Sequence, residues 1–174
     1  MVYQLKQIER SVFRAYDIRG LIGKQLDEDA FYTIGRALGI RLSVLSRNKI
    51  FIARDGRLSS DSLATALKQG LVDSGITVVD LGAVATPVMY YATHAQGIDC
   101  GLMVTGSHNP ADYNGIKMVL AGKTLAQADI DELYDLILAG DYPEGRGEAQ
   151  GIGAAMDDAI AVFTHPFFRA VGAI

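Results

Sequence analysis

The sequence predicts an α/β fold: a three-layer α/β/α sandwich around a mixed, mostly parallel sheet. Three observations carry this. Short apolar runs alternate with longer segments of helical spacing from about residue 27 to residue 106. Glycine and Asn/Asp clusters mark the breaks between them. The apolar run after Gly115 follows its predecessor through a loop with no helix, which fits one antiparallel pairing.

Taken in order, Phe13 to Gly23 mixes apolar and charged residues with glycines and reads as an extended segment with a turn. Asp27 has the character of an N-cap, and Glu28 and Asp29 suit the positive end of a helix dipole. Ile34, Leu38, Leu42 and Leu45 follow at helical spacing, so the first helix runs to about Ser46. Lys49 to Ala53 is a short buried strand ending in Arg54-Asp55-Gly56-Arg57. Ser59 or Ser60 caps a second helix through Leu63, Leu67 and Leu71 that stops at Gly75. Ile76 to Leu81 is a strand, and Val88 to about Gln96 a helix whose Tyr90-Tyr91 pair reads as packing. Cys100 to Val104 and Gly115 to Leu120 are strands, with a turn at Ala121-Gly122-Lys123. The last helix spans about Ala126 to Ala139, buries Ile130, Leu133, Tyr134 and Ile137, and ends at Gly140. Residues 140–153, rich in glycine and containing Pro143, read as a linker or mobile loop.

The chain has 174 residues, 49% of them apolar, enough for one domain with a real core. Its net charge of −4, without a Lys/Arg cluster, argues against a nucleic-acid partner. No apolar run reaches the roughly 18 residues that span a bilayer, and Met1 to Arg10 carry no secretory h-region. The single cysteine, Cys100, sits in an apolar strand and reads as a small buried side chain. These features predict a cytoplasmic protein in a reducing compartment, with no membrane partner.

Two strand-end loops concentrate reactive residue types. One is Arg54-Asp55-Gly56-Arg57. The other is Thr105-Gly106-Ser107-His108-Asn109-Pro110, continuing through Asn114-Gly115-Ile116-Lys117. In a parallel sheet the carboxyl ends of strands share an edge, so these loops can converge. Asp17 and Arg19, two apart in an extended segment, share a face. They are either an exposed ion pair, worth under about 1 kcal/mol, or an arginine held to meet an anion. Ser107 has three readings from spacing: a turn or capping serine, an acylating nucleophile, or a carrier of a phosphoryl group. The adjacent His108 points to the opposite face on an extended chain, and no Gly-x-Ser-x-Gly elbow is present, which weakens the acylating case. The surrounding arginines and lysine point to phosphate.

Phe13-Arg14-Ala15-Tyr16-Asp17-Ile18-Arg19-Gly20, Arg54-Asp55-Gly56-Arg57 and the Thr105–Lys117 stretch, in this order and spacing, resemble the phosphohexomutase superfamily. The likeness is nearest to its bacterial phosphomannomutase/phosphoglucomutase branch. Phosphoglucosamine mutases typically open with a Gly-Thr-Asp-Gly-Ile-Arg-Gly type motif instead. The resemblance covers about residues 12–140 and implies a phosphoglucomutase first-domain type of sandwich: residues 1–140 as domain I of a four-domain enzyme, residues 141–174 as linker and atypical tail.

By that resemblance Ser107 is phosphorylated in the active state and gives its phosphoryl group to a hexose phosphate, such as mannose or glucose 1- or 6-phosphate. The product is a hexose 1,6-bisphosphate, also the activator, which turns around and returns its other phosphate. The resemblance implies catalytic roles for Ser107, Lys117, Arg19 and His108, with Lys117 a candidate for moving the hydroxyl proton. It implies substrate contacts from Tyr16, Arg19, Asn109 and Lys117, and Mg²⁺ on the Ser107 phosphate. Arg57 reads as structural support. The family's Asp-Gly-Asp-x-Asp-Arg metal loop, sugar loop and distal phosphate loop are missing from this sequence. Tight Mg²⁺ binding and full turnover by the chain alone are therefore not expected. The tail from Ala161 to Ile174 departs from the family pattern and reads as a truncation, a frameshift or a partial gene, with Phe163, Phe167 and Phe168 costly to leave exposed. The alternatives from other classes are a non-catalytic module that binds phosphosugars or a partner, and an inactive remnant.

Overall fold

The computed structural model describes residues 2–151; the tail expected over 161–174 lies outside them. A 3₁₀ turn at Arg10–Val12 leads to β1 (Ile18–Leu21), α1 (Glu28–Val44), β2 (Lys49–Arg54), α2 (Ser60–Asp73) and β3 (Thr77–Ala83). Then come α3 (Thr86–Ala95), β4 (Gly101–Val104), β5 (Tyr113–Leu120), β6 (Lys123–Thr124), α4 (Gln127–Ala139) and β7 (Ala149–Gly151). Ser59 is the N-cap of α2 but makes no side-chain capping bond, because its hydroxyl accepts from Asn114 and that of Ser60 donates to Asp55; the signals at Asp27 and Gly140 behave as expected. Asp27 Oδ1 accepts from Ala30 N at 2.9 Å and caps α1. Gly140 closes α4 at φ +70°, a left-handed position that suits glycine.

The strands form one mixed sheet in the order β1-β5-β4-β2-β3-β7, with β6 hairpinned onto β5. β4, β2, β3 and β7 are parallel. β5 runs antiparallel to β1, β4 and β6, so the antiparallel part is larger than the single pairing the sequence implied. The α/β/α layering is as predicted. On one face α1, α2 and α4 bury Phe31, Leu38, Leu67 and Leu133 against Ile50, Ile52, Leu102 and Met118. On the other, α3 packs Met89 and Ala92 on Phe51, Ala53, Leu81 and Met103. Alternation along each strand produces this division: Ile50 and Ile52 face one way, Phe51 and Ala53 the other.

The described part of the expected linker is packed. Arg36, in the middle of α1 and with its side chain 5% exposed, donates to Pro143 O at 2.8 Å, to Ser74 Oγ at 3.1 Å and to Tyr32 Oη at 3.1 Å. Gly145 N and Gly147 N donate to Asp73 O and Val72 O at the end of α2. The segment then adds β7 to the edge of β3. Among the described residues, no helix is long and apolar enough to cross a membrane.

Candidate active site

β2 and β4 are neighbours with Arg54 opposite Val104, so the loops that leave them start side by side. Asp55 ties them together: its N–H donates to Val104 O at 2.9 Å. Its carboxylate accepts from Arg57 N (3.0 Å), Ser60 Oγ and Gly106 N (3.2 Å). Burial pushes the Asp55 carboxyl up. Hydrogen bonds from Ser60 Oγ, Arg57 N, Thr105 Oγ1 and Gly106 N outweigh it and hold the group below its usual range.

Arg57 then fastens the second loop by its main chain. Its guanidinium donates to the carbonyls of Asn109 and Pro110, each at 2.6 Å, and of Ser107 and Tyr113, each at 3.1 Å. Gly106 makes room for it, since a Cβ there would lie 2.3 Å from Arg57 Cζ. Within the loop, Ser107 N donates to Thr105 Oγ1 at 2.9 Å, and Asn109 N and Nδ2 both donate to Gly106 O. Asn114, fully buried, donates to Ser59 Oγ and Ser60 Oγ at 2.9 Å and pins the start of β5 to the start of α2. Held this way, Ser107 adopts φ +52°, a strained left-handed conformation for a non-glycine residue, with its side chain on the exposed rim.

A cleft of about 550 Å³ lies beside this loop, lined by Arg14, Tyr16, Asp17, Arg19, Asn109 and Lys117 among others. The register explains why these residues meet. Arg19 stands opposite Gly115, and Lys117 opposite Met103, so Arg19 and Lys117 emerge on the α3 face of the sheet. The apolar cluster under α3 reaches across β2, β3 and β4 as far as Val119 of β5, and the cleft opens beyond it, beside β1 and Lys117. β1 and β5 approach closely because Gly115 has no side chain: a Cβ there would sit 2.0 Å from Ile18 O.

Asp17 is 7% exposed. Its Oδ2 accepts from Arg19 Nη2 at 2.5 Å and lies 3.5 Å from Lys117 Nζ. The pair of Asp17 and Arg19 is thus a largely buried bridge to a third residue, not an isolated exposed ion pair. Tyr90, on α3, faces the same carboxylate; burial raises its hydroxyl pKa and the Asp17 charge adds to that.

The structure therefore brings Tyr16, Arg19, Asn109 and Lys117 to one cleft, with Ser107 and His108 on the exposed loop next to it and not in its lining. Spacing alone gives Arg14 and Asp55 no role and links Asp17 to Arg19 alone. The same-face rule was available for Asp17 and Arg19. Lys117 joins them only through the antiparallel register, which no local pattern reveals. Among the described residues, no group of three or more His, Cys, Asp and Glu is placed to hold a metal ion. These side chains do not by themselves fit a Mg²⁺ site, which wants several oxygen ligands.

The fold and the site define an α/β/α domain that presents a rigidly held serine beside a cationic cleft at the carboxyl edge of its sheet. The family model "Phosphoglucomutase/phosphomannomutase, alpha/beta/alpha domain I" matches residues 10–144. The chain belongs to this family. It is 47% identical over 133 residues to the phosphoglucomutase of Neisseria meningitidis serogroup A, covering 76% of this chain and 29% of that protein. It is 46% identical over 142 residues to the phosphomannomutase/phosphoglucomutase of Pseudomonas aeruginosa PAO1, covering 82% and 31%. A crystal structure of a phosphoglucomutase/phosphomannomutase family protein from Burkholderia thailandensis superposes with a TM-score of 0.83 at 42% identity, over 96% of this chain and 36% of that one. The chain spans under a third of the length of these curated relatives.

Proposed function

We propose that this chain carries the phosphoserine of a phosphoglucomutase/phosphomannomutase reaction, with Ser107 as the phosphoryl carrier. The observation that supports this most is the Arg57 grip on four main-chain carbonyls, which holds Ser107 at φ +52° beside a cleft rich in arginine and lysine. Phosphoryl transfer demands positioning and charge neutralisation more than covalent work by the protein. In the forward half-reaction the bond between phosphorus and Ser107 Oγ breaks and a bond to a hexose phosphate hydroxyl forms. The proton lost by that hydroxyl ends on Ser107 Oγ, with Lys117 the group that relays it. The hexose 1,6-bisphosphate then reorients, and its other phosphate returns to Ser107. The net change interconverts 6-phospho and 1-phospho sugars.

In this reading Arg19 and Lys117 neutralise the transferring group, Tyr16 and Asn109 contact the sugar phosphate, and His108 shapes the loop. Residues 1–140 are the first domain and 141–174 a linker and tail, of which 141–151 pack along the domain's edge. A Mg²⁺ ion on the Ser107 phosphate would draw its other ligands from outside the described residues. The setting is cytoplasmic, in keeping with a single buried free thiol. A second reading, a phosphosugar-binding module without transfer, is favoured by the position of Ser107 on the exposed loop outside the cleft lining.

Intact mass after incubation with a hexose 1,6-bisphosphate separates the two. Gain of one phosphoryl group, lost in Ser107→Ala, supports transfer. Saturable binding with no gain in mass overturns it in favour of the binding module.

A further inference from the structure

The cleft holds three cations, Arg14, Arg19 and Lys117, and one carboxylate, Asp17. They are not equivalent. Asp17 Oδ2 engages both Arg19 and Lys117, and the side chains of these two are 34% and 30% exposed. Arg14 is exposed, and its guanidinium makes no hydrogen bond or ion pair with another described residue. What fixes Arg14 is its backbone, whose N–H donates to Asp17 O at 2.9 Å across the turn into β1. One carboxylate thus anchors two cations at the sheet, and the turn that carries this carboxylate leaves a third cation at the mouth.

We infer that Asp17 divides the cleft's cations between two tasks: it is a positioning residue that fixes Arg19 and Lys117, and it leaves Arg14 as the binding residue that captures the incoming phosphate. The inference rests on the hexose phosphate reading of the cleft. Its physical basis is that a cation already satisfied by a buried carboxylate is held in place but offers less net attraction to an anion. An unpaired guanidinium keeps its full charge and its bidentate fork for phosphate oxygens. A captured phosphate at Arg14 also sits beside Tyr16, a residue 69% exposed and open to the sugar.

The test uses the whole 174-residue chain and a hexose 1,6-bisphosphate. Binding is measured by calorimetry in a Ser107→Ala background, where transfer is blocked. Transfer is measured by intact mass with Ser107 in place. Arg14→Gln is expected to weaken binding about tenfold, the scale of one charge-assisted hydrogen-bond pair. It should also flatten the salt dependence, while Arg14→Lys restores part of both. Asp17→Asn is expected to bind as tightly as its parent, or more tightly because a negative charge is gone, yet to transfer at least about tenfold more slowly at saturation.

Circular dichroism melts verify that each variant is folded. Arg14→Gln binding within twofold of its parent overturns the capture role. Asp17→Asn that binds more weakly but transfers normally at saturation overturns the positioning role. If the Ser107→Ala parent itself does not bind the bisphosphate, the hexose phosphate reading fails and this inference falls with it.

Discussion

The two faces of the sheet are built on opposite principles. One is covered by α1, α2 and α4 and buries a large apolar cluster that reaches from Ile8 to Ile137. The other carries α3 alone over a small cluster, and beyond it the sheet ends in Asp17, Arg19 and Lys117. The crowded face supplies the burial that makes the fold stable. The thin face leaves a charged floor in which Arg19 and Lys117 stand on strands, held to the precision of the backbone ladder, and Asp17 sits at the turn into β1. A helix over β1 and β5 on that side would add apolar burial and remove the cleft.

The comparison breaks most visibly in the core. Phe31→Ala, at a fully buried position on the crowded face, should cost about 3–5 kcal/mol of stability by urea denaturation. Lys117→Met on the thin face should cost under about 1 kcal/mol and abolish phosphoryl acceptance. Equal stability losses in the two variants would collapse the distinction between the faces. Next in size is Arg57→Ala. Freeing four carbonyls should cost about 1–3 kcal/mol and speed amide exchange at Asn109, whose N–H donates to Gly106 O.

Ser107→Gly should have a smaller effect of opposite sign. Relief of the left-handed strain should raise the melting temperature slightly, by up to about 1 kcal/mol equivalent, while phosphoryl acceptance vanishes. A lower melting temperature would show that Ser107 is not strained in the folded chain. The least change belongs to Asp55→Asn on acidification. Asp55 has a folded-state pKa held below its ordinary 3.8. Its contribution is therefore fully present above that value and is lost as the pH falls through the lower, folded one. Stability plotted against pH should fall less steeply below about pH 4 in Asp55→Asn than in the parent.

Much of this architecture was readable from the chain. The cap at Asp27, the helical spacing through Leu38 and Leu42, and the strand from Lys49 follow from local chemistry, and they recur in the structure within two residues. β7 was not readable. Ala149–Gly151 has no apolar alternation and is exposed throughout. It joins the sheet because the glycines before it lie against the backbone between α2 and β3, where a Cβ on Gly147 would meet Ile76 O at 2.1 Å. Those glycines read as linker because sequence shows only their flexibility, and their closeness to another segment is a tertiary fact. The site divides the same way. The two loops and their reactive residues announce themselves by composition. The bridge from Asp17 to Lys117 spans 100 positions and depends on the β1–β5 register. The lone position of Arg14 is visible only once its neighbours are seen to be paired.

The grip of Arg57 has one more consequence. It takes hold of carbonyl oxygens, which every residue possesses, and of no side chain in the loop. Apart from the Asn109 side chain, which donates to Gly106 O, the path of residues 107–113 is thus moulded through its main chain, provided position 106 stays glycine. Position 107 becomes an interchangeable socket in which a different reactive group could be mounted at the same point in space. Aspartate and asparagine tolerate its left-handed backbone, and Ser107→Asp would set a carboxylate where the hydroxyl now stands, making the loop a cassette for redesigning what the cleft is asked to transfer.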